Sequence, residues 1–498
     1  MLSSILSAFT AIKGYRRDAA VCAGLVAVAA ALRFWNLTSL GLTHFDEGAY
    51  TTTGRWLATF GRSGAAFQPT FSPPFFPALI GAAFVMFGVK DYVAIAVSAA
   101  AGSITVGLVY LIGSSWFNRN AGIAAGLMLA ASEYHLIFSR LALTDATFTF
   151  LFWTALVCLF QGLSTRKRVW FVVGGIATGI CWNTKYHGFF PLAITGLWLV
   201  CRLMRGERPP MRNFALACGI AAAIYLPWVI YVQATIGYAT ILRTHIEHSL
   251  GSGLFITRPG AFAFYFSHWL AVPLLVFASV GAVAALVDRR PGARFLLFAT
   301  VFFLASAMLY LSFPRIVLPV VPAICLFAAY GLDALTRALG VRPALALTAG
   351  TALVLAWGAP RDRALLAMRT DAYRQAAAYL RSVGLPAITE MSKNYYFYED
   401  APSIEMRFHT REELQNGLRS SPETILAVDP IVQRLPEAQA WFDAARAGHG
   451  PSRIFPIQMY EPVYYQGFDP TIPLEATPRL IAPFRPGEAV IAVYRVSR

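Results

Sequence analysis

Apolar stretches long enough to cross a bilayer, roughly 17 to 25 residues each, recur in this chain from Ala19 to Trp357. No soluble core absorbs so many of them, so the greater part of the chain is committed to a membrane. The stretches read as 19–31, 91–112, 120–138, 146–162, 169–183, 187–203, 213–232, 262–287, 294–312, 315–335 and 343–359, or about eleven crossings. Of the 498 residues only 13% are charged, against about 25% in soluble domains. Past residue 361 the text turns mixed and polar. The expected architecture is a polytopic all-α membrane protein over 1–360, followed by a small extracytoplasmic α/β domain over 361–498.

The net charge of +15 sits entirely in the apolar part. Residues 361–498 carry 16 Lys/Arg and 16 Asp/Glu, whereas 1–360 carry 25 and 10. The excess clusters in short loops, at Arg119, Arg166-Lys167-Arg168, Arg202 to Arg212, Arg289-Arg290-Arg294 and Arg337 to Arg342. That is the positive-inside pattern and excludes a nucleic-acid patch. It puts the N-terminus in the cytoplasm, and an odd number of crossings puts the C-terminus outside. The first apolar run resembles a signal peptide but reads as a retained helix, because many spans follow it. The six cysteines lie in or beside apolar spans without a CxxC pair, so they read as packing residues.

Parity settles one leftover segment. Pro73-Pro74-Phe75 to Phe87 is short and opens on two prolines; a crossing there would turn every basic loop outward. It therefore reads as an interfacial helix, and Glu47 to Phe60 as another.

Ionisable residues near bilayer depth are expensive and point to function. Four places qualify, all on the outer face. Asp46-Glu47 follows the first span, with a solvated surface pair as the bland alternative. Asp145 opens the span at 146, where it also suits an N-cap. Lys185 sits in Asn183-Thr184-Lys185-Tyr186-His187-Gly188, where it can snorkel to water. Arg315 sits in Phe313-Pro314-Arg315, where it can end a kinked hairpin. Two acids and two bases at one membrane face suit sugar transfer from a lipid phosphate. A carboxylate takes the acceptor proton and cations hold the departing phosphate. His245 and His248 have helix-compatible His-x-x-His spacing that with a carboxylate suits a divalent ion, leaving room for a metal. Contact with a substrate cavity is their competing use.

Five motifs in order, HFDEGAY, SPPFFPALIGAAFVMFG, FSRLALTDATF, NTKYHGFFPL and FPRIVLPVVPAICLFAAYGL, resemble the dolichyl-phosphate-mannose–protein mannosyltransferases and their bacterial relatives, the lipid A aminoarabinose and galacturonic acid transferases. The resemblance covers about residues 18–360. It implies a GT-C fold and an inverting glycosyltransferase of the cell inner membrane, using a polyprenyl-phosphate-linked sugar and a lipid or glycan acceptor. It implies Asp46 as base, with Glu47 beside it and Asp145 completing the acidic site. Lys185 and Arg315 would hold the carrier phosphate, with Arg140, Tyr186 and His187 as further substrate contacts. Two departures stand out. Ser72 precedes the Pro-Pro pair where the aminoarabinose branch has a basic residue, and no large insertion between spans supports a protein acceptor. A flippase for lipid-linked sugars is the alternative; it favours charges near the midplane and paired halves, and no repeat is visible. A scaffold with a sensory tail would not need Asp46 at all.

Overall fold

The computed structural model describes residues 15–70, 72–251, 258–288, 290–308, 314–385, 387–389, 391–399, 403–405, 423–428, 443, 448–458 and 489–497. Helix α1 (Tyr15–Phe34) leads through a short 3-10 turn to α2 (Phe45–Ala58) and α3 (Phe75–Phe87), the two segments expected to lie along the surface. Then come α4 (Asp91–Trp116), α5 (Arg119–Ala130), α6 (Glu133–Phe138), α7 (Thr144–Thr165), α8 (Arg168–Trp182), α9 (Phe190–Met204) and α10 (Met211–Thr235). Next are α11 (Tyr238–Gly251), α12 (Arg258–Trp269), α13 (Val272–Val287), α14 (Pro291–Met308), a 3-10 turn at Pro314–Val317, α15 (Val320–Leu339) and α16 (Pro343–Leu366).

The chain is membrane-embedded. Six described helices are long and apolar enough to cross a bilayer, and α13 with α14, bent by 118° at their junction, raise this to seven if counted as one span. Helices α3, α8 and α9 are apolar but shorter.

Three expected spans differ in form. The stretch 120–138 breaks after Ala130, because α6 turns Glu133 toward Arg361 at 3.4 Å and His135 toward the buried Arg33 at 2.9 Å instead of leaving both in lipid. The stretch 262–287 divides before Val272, where Pro273 lacks an N–H and suits the start of a new helix. The stretch 315–335 becomes a helix only at Val320; Pro314 and Pro319 hold its beginning as a 3-10 turn. Helix α7 runs from the Asp145 end to Arg166, whose guanidinium donates to the carbonyl of Arg208 at 3.3 Å. Two of the basic loops therefore touch at the end of the bundle opposite Asp145.

Helices α13 and α15 approach most closely at Gly281 and Gly331. A Cβ on Gly281 would sit 1.9 Å from the carbonyl oxygen of Phe327, and one on Gly331 2.2 Å from that of Phe277. Small residues let helix backbones meet this way in lipid, where packing rather than water drives association.

After α16 come α17 (Ala372–Val383), β1 (Ala387–Thr389), α18 (Ser392–Glu399), β2 (Ser403–Glu405), β3 (Glu423–Val428), β4 (Pro451–Pro456) and β5 (Val490–Ser497). The strands form one sheet in the order β2-β1-β3-β5-β4, parallel between β2, β1 and β3 and antiparallel from β3 to β5 to β4. The apolar face of α17, Ala372, Tyr373, Ala376, Ala377 and Leu380, packs with Ile425, Ala427, Ile491 and Val493 of the sheet. Phe45 of α2 is buried in this same cluster.

Gly331→Val is expected to force α13 and α15 apart at a cost of about 1–3 kcal/mol. A fall of several degrees in the unfolding midpoint of detergent-purified protein would record it; an unchanged midpoint would count against the close contact.

Candidate active site

The site starts at the N-terminus of α2. His44 caps this helix through Nδ1, which accepts the Asp46 N–H at 3.0 Å. Glu47 closes a capping box: its Oε2 accepts from the N–H groups of Thr43 (2.7 Å) and His44 (2.9 Å) and from the Thr43 hydroxyl (3.1 Å). Its Oε1 accepts the Ala142 N–H at 2.6 Å, tying α2 to the loop that leads into α7. Glu47 is therefore fully buried and hydrogen-bonded on both oxygens. Its sequence role beside the base becomes that of a strut. Burial pushes its carboxyl up to about 7, against the donors that favour the ionised form.

Asp46 points elsewhere. Its Oδ2 is 2.7 Å from Arg315 Nη1, and 3.9 Å from His44 Nδ1. Arg315 reaches it from the 3-10 turn before α15, which Tyr134 steadies by donating its hydroxyl to the Pro314 carbonyl at 2.5 Å. On α7, Asp145 does not cap the helix. Leu143 occupies the cap position, and Asp145 Oδ1 lies 2.5 Å from Lys185 Nζ. The other oxygen of Asp145, Oδ2, is buried with no hydrogen-bond partner among the described residues. Lys185 also lies over the Phe148 ring, 5.6 Å from its centroid.

Asp46, Asp145, Lys185 and Arg315 thus meet in one place, although α2, α7, the α8–α9 turn and the 3-10 turn supply them separately. Burial lowers the Lys185 ammonium, opposed by Asp145, lowered further by Arg315 and raised by Asp46. Burial also works to lower Arg315, but Asp46 and then Asp145 override it and raise the group above its ordinary value. Asp46, Arg315 and Lys185 keep 14%, 17% and 14% of their side chains exposed, while Asp145 keeps 1%. A substrate can therefore reach three of the four directly.

The remaining expected contacts divide. Tyr186 and His187 flank Lys185. The Tyr186 hydroxyl donates to the Pro69 carbonyl, and His187 packs edge-on against Phe148 at 4.7 Å. Burial, then Lys185, holds the His187 imidazole well below its usual range, so it is neutral at pH 7. Arg140 is not with them. It is fully buried, and its Nη1 donates to the carbonyls of Leu32 (3.1 Å), Arg33 (3.2 Å) and Trp35 (2.7 Å). It satisfies the C-terminal end of α1, where free carbonyls favour a cation. His245 on α11 meets Tyr186 edge-on at 5.2 Å. The side chain of His248 lies outside the described residues, and among those described no group of three His, Cys, Asp or Glu could hold a metal.

Sequence reasoning passed over Tyr50. It is buried one turn after Asp46 and is pushed up by burial and then by Asp46. The i, i+4 spacing from Asp46 was the available signal. The same spacing logic, i, i+3, links Phe148 to Asp145.

The membrane-embedded helical bundle that carries this charged site is similar to several known proteins. Residues 72–231 match the family described as dolichyl-phosphate-mannose-protein mannosyltransferase. The fold is similar to that of ArnT from Cupriavidus metallidurans in the apo state (16% identity over 95% of this chain and 97% of that one, TM-score 0.62). The crystal structure of that protein bound to undecaprenyl phosphate matches at 16% identity over the same shares, TM-score 0.59. The oligosaccharyltransferase of Archaeoglobus fulgidus, in complex with Zn and sulfate, matches at 14% identity over 85% of this chain and 69% of that one, TM-score 0.63. No curated protein matches the chain by sequence. The chain shares the fold of these structures, and the family match lies within the helical bundle, over residues 72–231.

Glu47 carries a signed pH prediction. Its folded pKa is raised above the ordinary 4.5 to about 7. The stability this gives is complete below the lower value and is lost as pH rises through the higher one. Glu47→Gln is therefore expected to flatten the pH profile of thermal unfolding between those values, by up to about 3 kcal/mol. A variant profile parallel to wild type would refute the assignment.

Proposed function

We propose that the chain is a membrane glycosyltransferase that moves a monosaccharide from a polyprenyl-phosphate carrier to an acceptor hydroxyl on the outer membrane face. One observation carries this reading: Asp46, Asp145, Lys185 and Arg315 share a site at helix ends, as two ion pairs of 2.7 and 2.5 Å. The fold shared with ArnT from Cupriavidus metallidurans, which has been crystallised bound to undecaprenyl phosphate, supports the choice of carrier.

In this reading the donor phosphate competes with the carboxylates for Arg315 and Lys185. Arg315 is the shared element. Turning toward the phosphate, it leaves Asp46 without its counter-charge and so makes Asp46 a stronger base. The acceptor hydroxyl gives its proton to Asp46 while its oxygen bonds to the anomeric carbon. The bond from that carbon to the phosphate oxygen breaks, and its electron pair leaves with the polyprenyl phosphate, whose charge Lys185 and Arg315 stabilise. Attack opposite to departure inverts the anomeric centre. Asp145, buried behind Lys185, holds that ammonium in place from the protein side. Tyr186 and His187 line the Lys185 side, and a lipid or glycan is the acceptor.

The orientation belongs to the same reading: N-terminus in the cytoplasm, basic loops inside, eleven crossings of the inner membrane, and site and C-terminal residues outside. Residues 1–360 carry the chemistry and 361–498 form the extracytoplasmic unit.

Asp46→Asn is expected to preserve expression and to reduce transfer by about 10²-fold or more. Normal turnover with a defined polyprenyl-phosphate sugar would defeat the base assignment. Arg315→Ala is expected to raise the donor KM by about tenfold or more, equivalent to about 1.4 kcal/mol or more; an unchanged value would remove Arg315 from the phosphate site. Mass spectrometry of envelope glycolipids with and without the gene would identify the sugar and its acceptor.

A further inference from the structure

The segment that delivers Asp46 is gripped from behind by the C-terminal residues. Phe45, its immediate neighbour, is 1% exposed and packs in the cluster formed by Ala372, Tyr373, Ala376, Met391 and Tyr395. One residue upstream of the Thr43–His44 cap, the backbone is bonded almost continuously. The Leu42 N–H donates to the Tyr398 hydroxyl at 2.8 Å, and the Leu42 carbonyl accepts from Asn394 Nδ2 at 2.9 Å. The Gly41 N–H donates to Thr370 Oγ1 at 2.7 Å, and the Thr370 hydroxyl reaches the Gly41 carbonyl at 3.2 Å. The Leu40 carbonyl accepts from Arg374 Nη2 at 3.2 Å, and the Ser39 carbonyl from the Thr370 N–H at 2.9 Å. Gly48 permits this docking: a Cβ there would lie 2.3 Å from Asn394 Oδ1.

These contacts converge on one carboxylate that is not part of the charged site. Asp91, at the start of α4, is 3% exposed. Its Oδ2 accepts from the Tyr398 hydroxyl at 2.8 Å and from Arg374 Nη2 at 2.7 Å and Nε at 3.2 Å. Burial, then the Asp91 charge, raises the Tyr398 phenol well above its ordinary range, so it keeps the proton it donates. With that proton fixed on Asp91, a lone pair of the same oxygen faces the Leu42 N–H. The node therefore joins three parts: the bilayer end of α4, the C-terminal segment, and the strand of backbone leading to Asp46.

We infer that Asp91, Tyr398 and Arg374 are positioning residues for the transfer reaction, setting the place of Asp46 through residues 39–45. The C-terminal segment is then a working part of the catalytic machinery, not an appendage. The inference rests on the transferase reading of the site. None of the three touches the reacting groups; Asp46 pairs with Arg315 and His44. They act by height and angle, to which proton transfer is steeply sensitive, a displacement of about 1 Å costing as much as 10²-fold.

The test uses full-length protein in proteoliposomes with a polyprenyl-phosphate sugar that wild type turns over. Tyr398→Phe removes one hydroxyl and leaves the ring, and Asp91→Asn removes the charge. Arg495→Ala, which breaks an exposed ion pair with Glu423 in the same sheet, is the control. For Tyr398→Phe and Asp91→Asn, kcat per folded enzyme is expected to fall about tenfold, with the donor KM within about twofold. Amide exchange should quicken in residues 39–50 and stay unchanged in α7. The control should keep wild-type kcat.

An unchanged kcat for Tyr398→Phe overturns the inference. So does a loss carried by KM, or unaltered exchange in 39–50. If Asp91→Asn does not fold, Tyr398→Phe decides alone. If wild type transfers sugar from no donor, the transferase reading fails, and exchange in 39–50 still judges the latch by itself.

Discussion

Two largely buried ion pairs hold one end of this bundle together, and each joins elements far apart in the chain. Asp46 and Arg315 bring the first outer loop to the turn before α15; Asp145 and Lys185 bring α7 to the α8–α9 turn. Charges at this depth are tolerated only in pairs, since losing one partner of a buried pair costs about 3–5 kcal/mol.

Around the pairs lies a layer of side chains whose work is placement. Glu47 ties the start of α2 to the loop before α7 through four donors. Arg140 closes the end of α1, and Tyr134 steadies the turn carrying Arg315. Asp91, Tyr398 and Arg374 fasten the approach to Asp46 from the side of the sheet. The aromatic run Tyr395-Tyr396-Phe397-Tyr398 lies in helix α18, which packs on α2. There the Arg55 guanidinium lies over Tyr396 and donates to the Phe397 carbonyl at 3.0 Å.

Hydropathy reveals the helices because lipid demands about twenty apolar residues with an internally bonded backbone, a local property that a linear text records. Six described helices, or seven with the bent α13–α14 pair, are long and apolar enough to cross, and α2 and α3 fall on the two segments read as surface helices. The four site charges were legible for a related reason: an ionisable group at bilayer depth is rare enough to mark itself. Glu47 and Arg140 carried the same mark, yet the structure gives them hydrogen bonds to backbone groups that no spacing rule identifies. Tyr50 and Asp91 drew no notice, because a tyrosine in a helix and an acid in a first helical turn are ordinary.

From the amino-acid order alone follow the membrane class, the helical segments, the change of character after residue 361 and a short roster of chemically unusual side chains. Those depend on local composition and period. Which of these side chains face one another was decided only in three dimensions. Asp46 lies 269 positions from Arg315, and Leu42 lies 356 from Tyr398, and partners so distant are selected by tertiary packing. A carboxylate becomes a base, a cap or a strut according to which donors the fold sets before it, and that is a property of the assembled molecule.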